Sequence, residues 1–311
     1  MKHYVKLIIS ITSFALLFSC ADTLTIEKTG SAQTFPHKLP IEKPDMPLSS
    51  AMNRMFDYST TRPKDNELYS LFKYSRLQGF DYNNGDGTIS RRDPSRPILV
   101  DGQYYIWYTK RHTSVAPVGV KNAAQATETI PSTDWDLAEL WYATSEDGIN
   151  WQEKGVAVPR PPKPNLGHRS VATPDILVWK GKYYLYYQAF NEPSGVKGDH
   201  SVIAASWADS PAGPWTAVNR EVVKTGKAGE WDQNLIHDPM PIVYNNKIYM
   251  YYKSTYNKWT DDRKNYHVAH GVAIADAPLA EFKKHPLNPV TNSGHETFYF
   301  PFKEVLVKVF S

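Results

Sequence analysis

One pattern recurs three times in this chain and limits what it can fold into. Ser90-Arg91-Arg92-Asp93-Pro94-Ser95-Arg96-Pro97-Ile98-Leu99-Val100 runs through Asp101-Gly102 into Gln103-Tyr104-Tyr105-Ile106-Trp107-Tyr108. Thr173-Pro174-Asp175-Ile176-Leu177-Val178-Trp179 runs through Lys180-Gly181 into Tyr183-Tyr184-Leu185-Tyr186-Tyr187. His237-Asp238-Pro239-Met240-Pro241-Ile242-Val243 runs through Asn245-Asn246 into Ile248-Tyr249-Met250-Tyr251-Tyr252. Each is an acid near the head of a strand, a tight turn, and a second strand apolar on both faces. A repeat of this size means stacked or radial units that bury their faces on one another.

Each unit continues with a strand ending in a turn and an aromatic: Ala143 to Trp151, Ala205 to Trp215, Ala273 to Phe282. A fourth strand follows, as at Glu153 to Val158. Four short antiparallel strands per unit read as the blades of an all-β propeller, and strands apolar on both faces suit blades packed face to face. Asp175 lies 82 residues after Asp93, and Asp238 63 after Asp175. Blades usually need about 40–50 residues, so the excess is loop. The largest loop runs from Lys110 to Asp136, a length that usually carries function. A fourth unit opens at Asn292-Ser293-Gly294-His295-Glu296-Thr297-Phe298-Tyr299. It is expected to be incomplete, since the sequence reaches Ser311 within it.

Before the repeats, Leu48, Met52, Met55 and Phe56 fall at helical spacing, with Ser49 or Ser50 as cap. Glu67 to Gln78 resumes that spacing after Pro63-Lys64-Asp65-Asn66. Residues 46–80 are therefore expected to form a helical hairpin too small to fold alone. Residues 1–20 read as an export signal. Lys2 and Lys6 precede an apolar run from Leu7 to Phe18 that ends at Cys20, the only cysteine, in the manner of a bacterial lipoprotein site. Residues 21–45 read as a tether and 81–311 as the propeller. The predicted location is the periplasm or outer membrane, with membrane contact only through a lipid on Cys20.

Net charge is +3 and no basic run appears, which argues against a nucleic-acid partner. Twenty Tyr and nine Trp suit strands and also suit sugars, whose C–H faces stack on flat rings. First strands of propeller blades line the central channel. Asp93, Asp175, Asp238 and the His295-Glu296 pair are thus expected to converge there, and converging carboxylates divide into acid and base roles as glycoside hydrolysis requires. Arg91, Arg92, Trp135, Arg169, Asp175, Gln188 and His237 are candidate sugar contacts. His267 and His270 lie on a strand-like run where positions i and i+3 point to opposite faces, so no zinc site is expected. Asn83 to Thr88 faintly resembles a calcium loop but lacks its distal Glu.

Ser90 to Ser95, His237 to Pro241 and Ser293 to Tyr299 together resemble glycoside hydrolase family 117, the exo-acting α-1,3-L-neoagarooligosaccharide hydrolases, over roughly residues 46–303. The resemblance implies a five-bladed propeller that releases 3,6-anhydro-L-galactose from the non-reducing end of neoagarobiose and longer agar-derived oligosaccharides, with inversion. It implies Asp93 as general base, Asp238 as a tuning residue, and His295 as general acid supported by Glu296. It also implies a homodimer exchanging the helical hairpin. No cofactor is required, and the resemblance leaves room for a divalent cation near the propeller centre. Two other readings fit the residues: a glycan-binding propeller without catalysis, and a propeller glycosidase acting on a different linkage.

Overall fold

The structure, a computed structural model, describes residues 42–57, 78–79, 84–195, 200–256, 267–291, 297–302 and 305–310. The export signal, most of the tether, the second half of the hairpin, His295 and Glu296 fall outside the described residues.

Three four-stranded antiparallel units follow one another in chain order. The first comprises β1 (Ile89–Arg92) and β2 (Ile98–Val100), both paired with β3 (Gln103–His112), then β4 (Glu139–Ser145) and β5 (Gln152–Val158). β1 and β2 are two pieces of one inner strand. The second unit is β6 (Ser170–Trp179), β7 (Lys182–Phe190), β8 (Ser201–Ala208) and β9 (Thr216–Val223). The third is β10 (His237–Tyr244), β11 (Lys247–Tyr256), β12 (His267–Ala275) and β13 (Lys283–Lys284). A hairpin of β14 (Thr297–Phe302) and β15 (Val305–Phe310) comes after them. This is the all-β, propeller-type architecture expected from the repeats.

The turn residues explain the first hairpin of every unit. Asp101-Gly102, Lys180-Gly181 and Asn245-Asn246 all have positive φ, the conformation of a tight two-residue hairpin turn whose twist matches the strands. Strand pairing runs straight out of these turns, Val100↔Gln103, Trp179↔Lys182 and Tyr244↔Lys247. The long second strands then supply apolar side chains to both faces. Trp107, Leu140, Ile176, Leu185 and Tyr187 form the core between the first two units. Leu177, Tyr186, Ile248, Met250 and Tyr252 contribute to the core between the second and third.

The aromatics that end the third-strand turns of the second and third units pack into these cores. Trp215 meets Trp107 edge-on at 5.8 Å, and Phe282 meets Tyr186 edge-on at 6.2 Å. These are the same contact repeated one unit later, because Trp107 and Tyr186 hold matching places on β3 and β7. Such pairs add about 0.5–1.5 kcal/mol beyond the area they bury.

The N-terminal helical spacing is realised in α1 (Ser50–Asp57), where Met52 is fully buried against the second core and Ser49 Oγ accepts from the Met52 amide at 3.1 Å. This is an N-cap, which satisfies an amide that the first helical turn leaves unpaired. Among the described residues no helix is long and apolar enough to cross a membrane.

Candidate active site

The site is made by a backbone irregularity that occurs three times. In β6 the pairing Ala172↔Gln188 is followed by Asp175↔Tyr186, so two residues, Thr173 and Pro174, oppose one. In β10 the step from His237↔Lys253 to Met240↔Tyr251 does the same with Asp238 and Pro239. In the first unit Arg92 pairs Thr109, and the Ser95 amide then bonds the Trp107 carbonyl, leaving Asp93 and Pro94 as the extra pair. These are β-bulges, which turn a side chain away from its regular direction. The residue before each proline has positive φ: 49° at Asp93, 50° at Thr173 and 50° at Asp238. A side chain with a Cβ seldom adopts that region, and each instance costs about 1–3 kcal/mol.

The three bulges open onto one cavity of about 400 Å³, lined by Arg92, Asp93, Arg96, Thr173, Asp175 and Asp238 together with Pro94, Pro174, Pro239 and Met240. A wider groove of about 1050 Å³ runs along residues of β9 and β13, away from the bulges.

The two bulge carboxylates have different surroundings. Asp93 Oδ2 accepts from Arg92 Nε at 2.7 Å, its one hydrogen bond among the described residues, and the residue lines the cavity. Asp238 is held from two sides. Its Oδ1 accepts from Gln188 Nε2 at 2.5 Å, and its Oδ2 pairs with the ammonium of the buried Lys253. Gln188 belongs to the preceding unit and Lys253 to the same one. Thr109, at the place on β3 that Gln188 holds on β7, likewise reaches the next unit: its Oγ1 accepts from the Thr173 amide at 2.7 Å.

Asp175 does not occupy the position of Asp93 and Asp238. Thr173 does, and it lines the cavity. Asp175 lies two residues on, buried, where it accepts from Arg96 Nε at 3.0 Å and Nη2 at 2.5 Å and from the backbone amides of Arg96 and Ile176. It ties the first unit to the second while forming part of the cavity wall.

Arg92 lies with its guanidinium carbon 4.8 Å from the Trp135 ring centroid, a cation–π contact. Its neighbour Arg91 points the other way, as strand alternation requires, into a cluster with Glu153, Lys110 and Tyr108. Burial there works to raise the Glu153 carboxyl, but hydrogen bonds from Arg91, Lys110 and Tyr108 outweigh it and hold the group down at about 2.

Arg169 departs from its expected role as a sugar contact. It is buried, and its guanidinium is taken up by Asp136 at 2.7 and 2.5 Å and by the carbonyls of Thr127 and Ile130. His237 holds the place of Arg92 in the third unit and lies 6.0 Å from the Phe190 ring. His270 is fully buried, with Nδ1 3.3 Å from Thr291 Oγ1. In the Asn84–Thr88 turn the Asp86 carboxylate is used internally, by the amide and hydroxyl of Thr88. Thr109, Thr173, Lys253 and Arg96 were not anticipated from the sequence. Among the described residues no three His, Cys, Asp or Glu side chains come together to hold a metal, and the cavity carboxylates are engaged by Arg92, Arg96, Gln188 and Lys253. The described residues do not by themselves form a donor set for a cation.

Neither a protein-family profile nor a curated protein matches the chain. Among solved structures, it is 66% identical to Zg3597, a family 117 glycoside hydrolase produced by the marine bacterium Zobellia galactanivorans. That match covers 77% of this chain and 68% of the other, with a TM-score of 0.72. The chain belongs to glycoside hydrolase family 117. A second structure, described only as a glycoside hydrolase, shares 12% identity over 80% of this chain and 73% of its own, with a TM-score of 0.57, and speaks to the fold alone. The bulge cavity is thus the candidate active site of a family 117 glycoside hydrolase.

Proposed function

We propose that this family 117 enzyme hydrolyses the terminal α-1,3 bond of neoagarobiose and longer agar-derived oligosaccharides, releasing 3,6-anhydro-L-galactose by an inverting mechanism. The observation that carries the reading is the unequal partnering of two carboxylates delivered to one cavity by matching bulges. Asp93, with one oxygen not engaged by any described side chain, is the general base. It takes a proton from water as the water oxygen attacks the anomeric carbon. Asp238, engaged on both oxygens, stays an anion and orients and stabilises positive charge developing at the sugar ring. Thr173 offers a hydroxyl to the substrate between them.

The proton for the leaving oxygen comes from His295, with Glu296 beside it. Sequence count supports Glu296 at the bulge position of this unit, with His295 at the place of His237. Thr173 stands six residues before Trp179 and Asp238 six before Tyr244, each the last paired residue before its turn. Glu296 stands six before Phe302, the corresponding residue of the β14–β15 hairpin. A five-bladed ring, a homodimer through the helical hairpin, and export as a lipoprotein on Cys20 belong to the same reading. The test is incubation with neoagarobiose and chromatography of the products. Galactose and 3,6-anhydrogalactose in equal amounts support the reading, and unchanged substrate after prolonged incubation overturns it.

A further inference from the structure

The long loop between β3 and β4 carries Trp135 to the site, and a loop of this length would ordinarily be mobile. Here the tripeptide Asp134-Trp135-Asp136 is gripped on both sides by buried arginines from different units. Arg111, on β3 and fully buried, donates through Nη2 to Asp134 Oδ1 at 3.3 Å. Its remaining bonds run to the carbonyls of Gly87 and Thr88 and to Thr113 Oγ1. Arg169, immediately before β6, makes a two-pronged pair with Asp136 in which both side chains are almost wholly buried, at 5% and 1% exposure. Asp136 also accepts from the amide and hydroxyl of Ser132 and from the Leu137 amide. The backbone is pinned as well, with Ser90 Oγ donating to the Asp134 carbonyl at 3.0 Å and Ser170 Oγ to that of Trp135 at 2.6 Å.

We infer that Arg111 and Arg169 are positioning residues that clamp the Asp134–Trp135–Asp136 turn, fixing the Trp135 ring as the wall against which Arg92 aligns the Asp93 carboxylate. The link to turnover rests on the reading of Asp93 above. The clamp itself does not. A planar guanidinium suits this task because its donors form a fixed fork matched to a carboxylate, whereas an ammonium bonds as a point charge. Arg169→Lys therefore keeps the charge and removes the fork.

Acrylamide quenching of Trp135 tests the clamp without substrate, read as the difference between each protein and its W135F counterpart. R169K is expected to raise the quenching constant of Trp135 about twofold or more, and an unchanged constant overturns the inference. Kinetics on neoagarobiose test its use. R169K is expected to lower kcat about tenfold in the wild-type background and less than about twofold in W135A, the non-additivity of residues that act through one another. Equal costs in both backgrounds mean a merely structural ion pair and overturn the positioning role. If R169K shows no cooperative melt, D134N, at the more exposed end, takes its place in both measurements with the same criteria. A wild-type protein that releases no sugar removes the substrate reading, while the quenching comparison still decides the clamp.

Discussion

The Gln188 side-chain amide, in the second unit, donates to Asp238 Oδ1 in the third at 2.5 Å, while Lys253 pairs with Oδ2 from the opposite side. A carboxylate held by a neutral donor and a buried cation is fixed in both charge and direction. Lys253→Met leaves the Asp238 charge without its cation. It is expected to lower kcat on neoagarobiose about 100-fold with KM changed less than about threefold, and Lys253→Arg should recover part of the loss. Gln188→Leu, which removes one neutral donor, should cost less, about tenfold. Steady-state kinetics of the three variants check the order.

Asp93→Asn should abolish turnover and leave sugar binding intact. Asn tolerates positive φ at least as well as Asp, so the bulge survives while the proton acceptor is lost. The expected fall in kcat is at least about 1,000-fold, with oligosaccharide binding by calorimetry retained within about threefold of the wild-type affinity. Unchanged hydrolysis in this variant would sink the base assignment.

Thr173→Val keeps the volume of the side chain and its β-branched shape but removes the hydroxyl at the middle bulge. Its amide bond to Thr109 is untouched. KM for neoagarobiose should rise about 5–20-fold, the loss of one substrate hydrogen bond, with little change in melting temperature. A melting shift without a KM change would make Thr173 structural only.

Glu153 gives a stability effect whose sign follows from its environment. Its carboxyl is depressed to about 2 in the folded chain, where Arg91, Lys110 and Tyr108 prevail over burial, against 4.5 when unperturbed. The carboxylate therefore stabilises the fold fully above about pH 4.5, and that contribution is lost as pH falls through about 2. Glu153→Gln should lower Tm by about 2–6 °C at pH 7, with the gap to wild type closing as the pH approaches 2. Differential scanning calorimetry at both ends of this range tests it.

Much of the architecture was legible because its causes are local. The turn pairs Asp101-Gly102, Lys180-Gly181 and Asn245-Asn246 announce the hairpins, and the strands they join are apolar on both faces because the units stack. In the second unit the acid lies two residues past the bulge position. Aligning the repeats on their acids selected Asp175, whereas the bulge is defined by the residue before proline, which there is Thr173. That shared X-Pro step was present in the sequence. The engagement of Arg169 is illegible for a different reason. It stands next to an acid-bearing strand, but its partner Asp136 lies in the long loop 33 residues earlier, and no spacing rule joins a loop acid to a strand arginine. Thr109 and Lys253 were missed because their role arises from pairing across strands, which depends on the bulge register.

The left-handed residue before the proline of each bulge separates the geometry of this site from its chemistry. Direction is set by backbone and proline, so the position works as a socket whose side chain differs from unit to unit. Two sockets hold carboxylates and a third holds a hydroxyl, all aimed at the same space. A scaffold of this kind can exchange one reagent for another at a single position without rebuilding the walls around it. Altering what the enzyme does should therefore require fewer changes at the bulges than altering what it recognises, which is spread over the loop, the arginines and the tryptophan beside them.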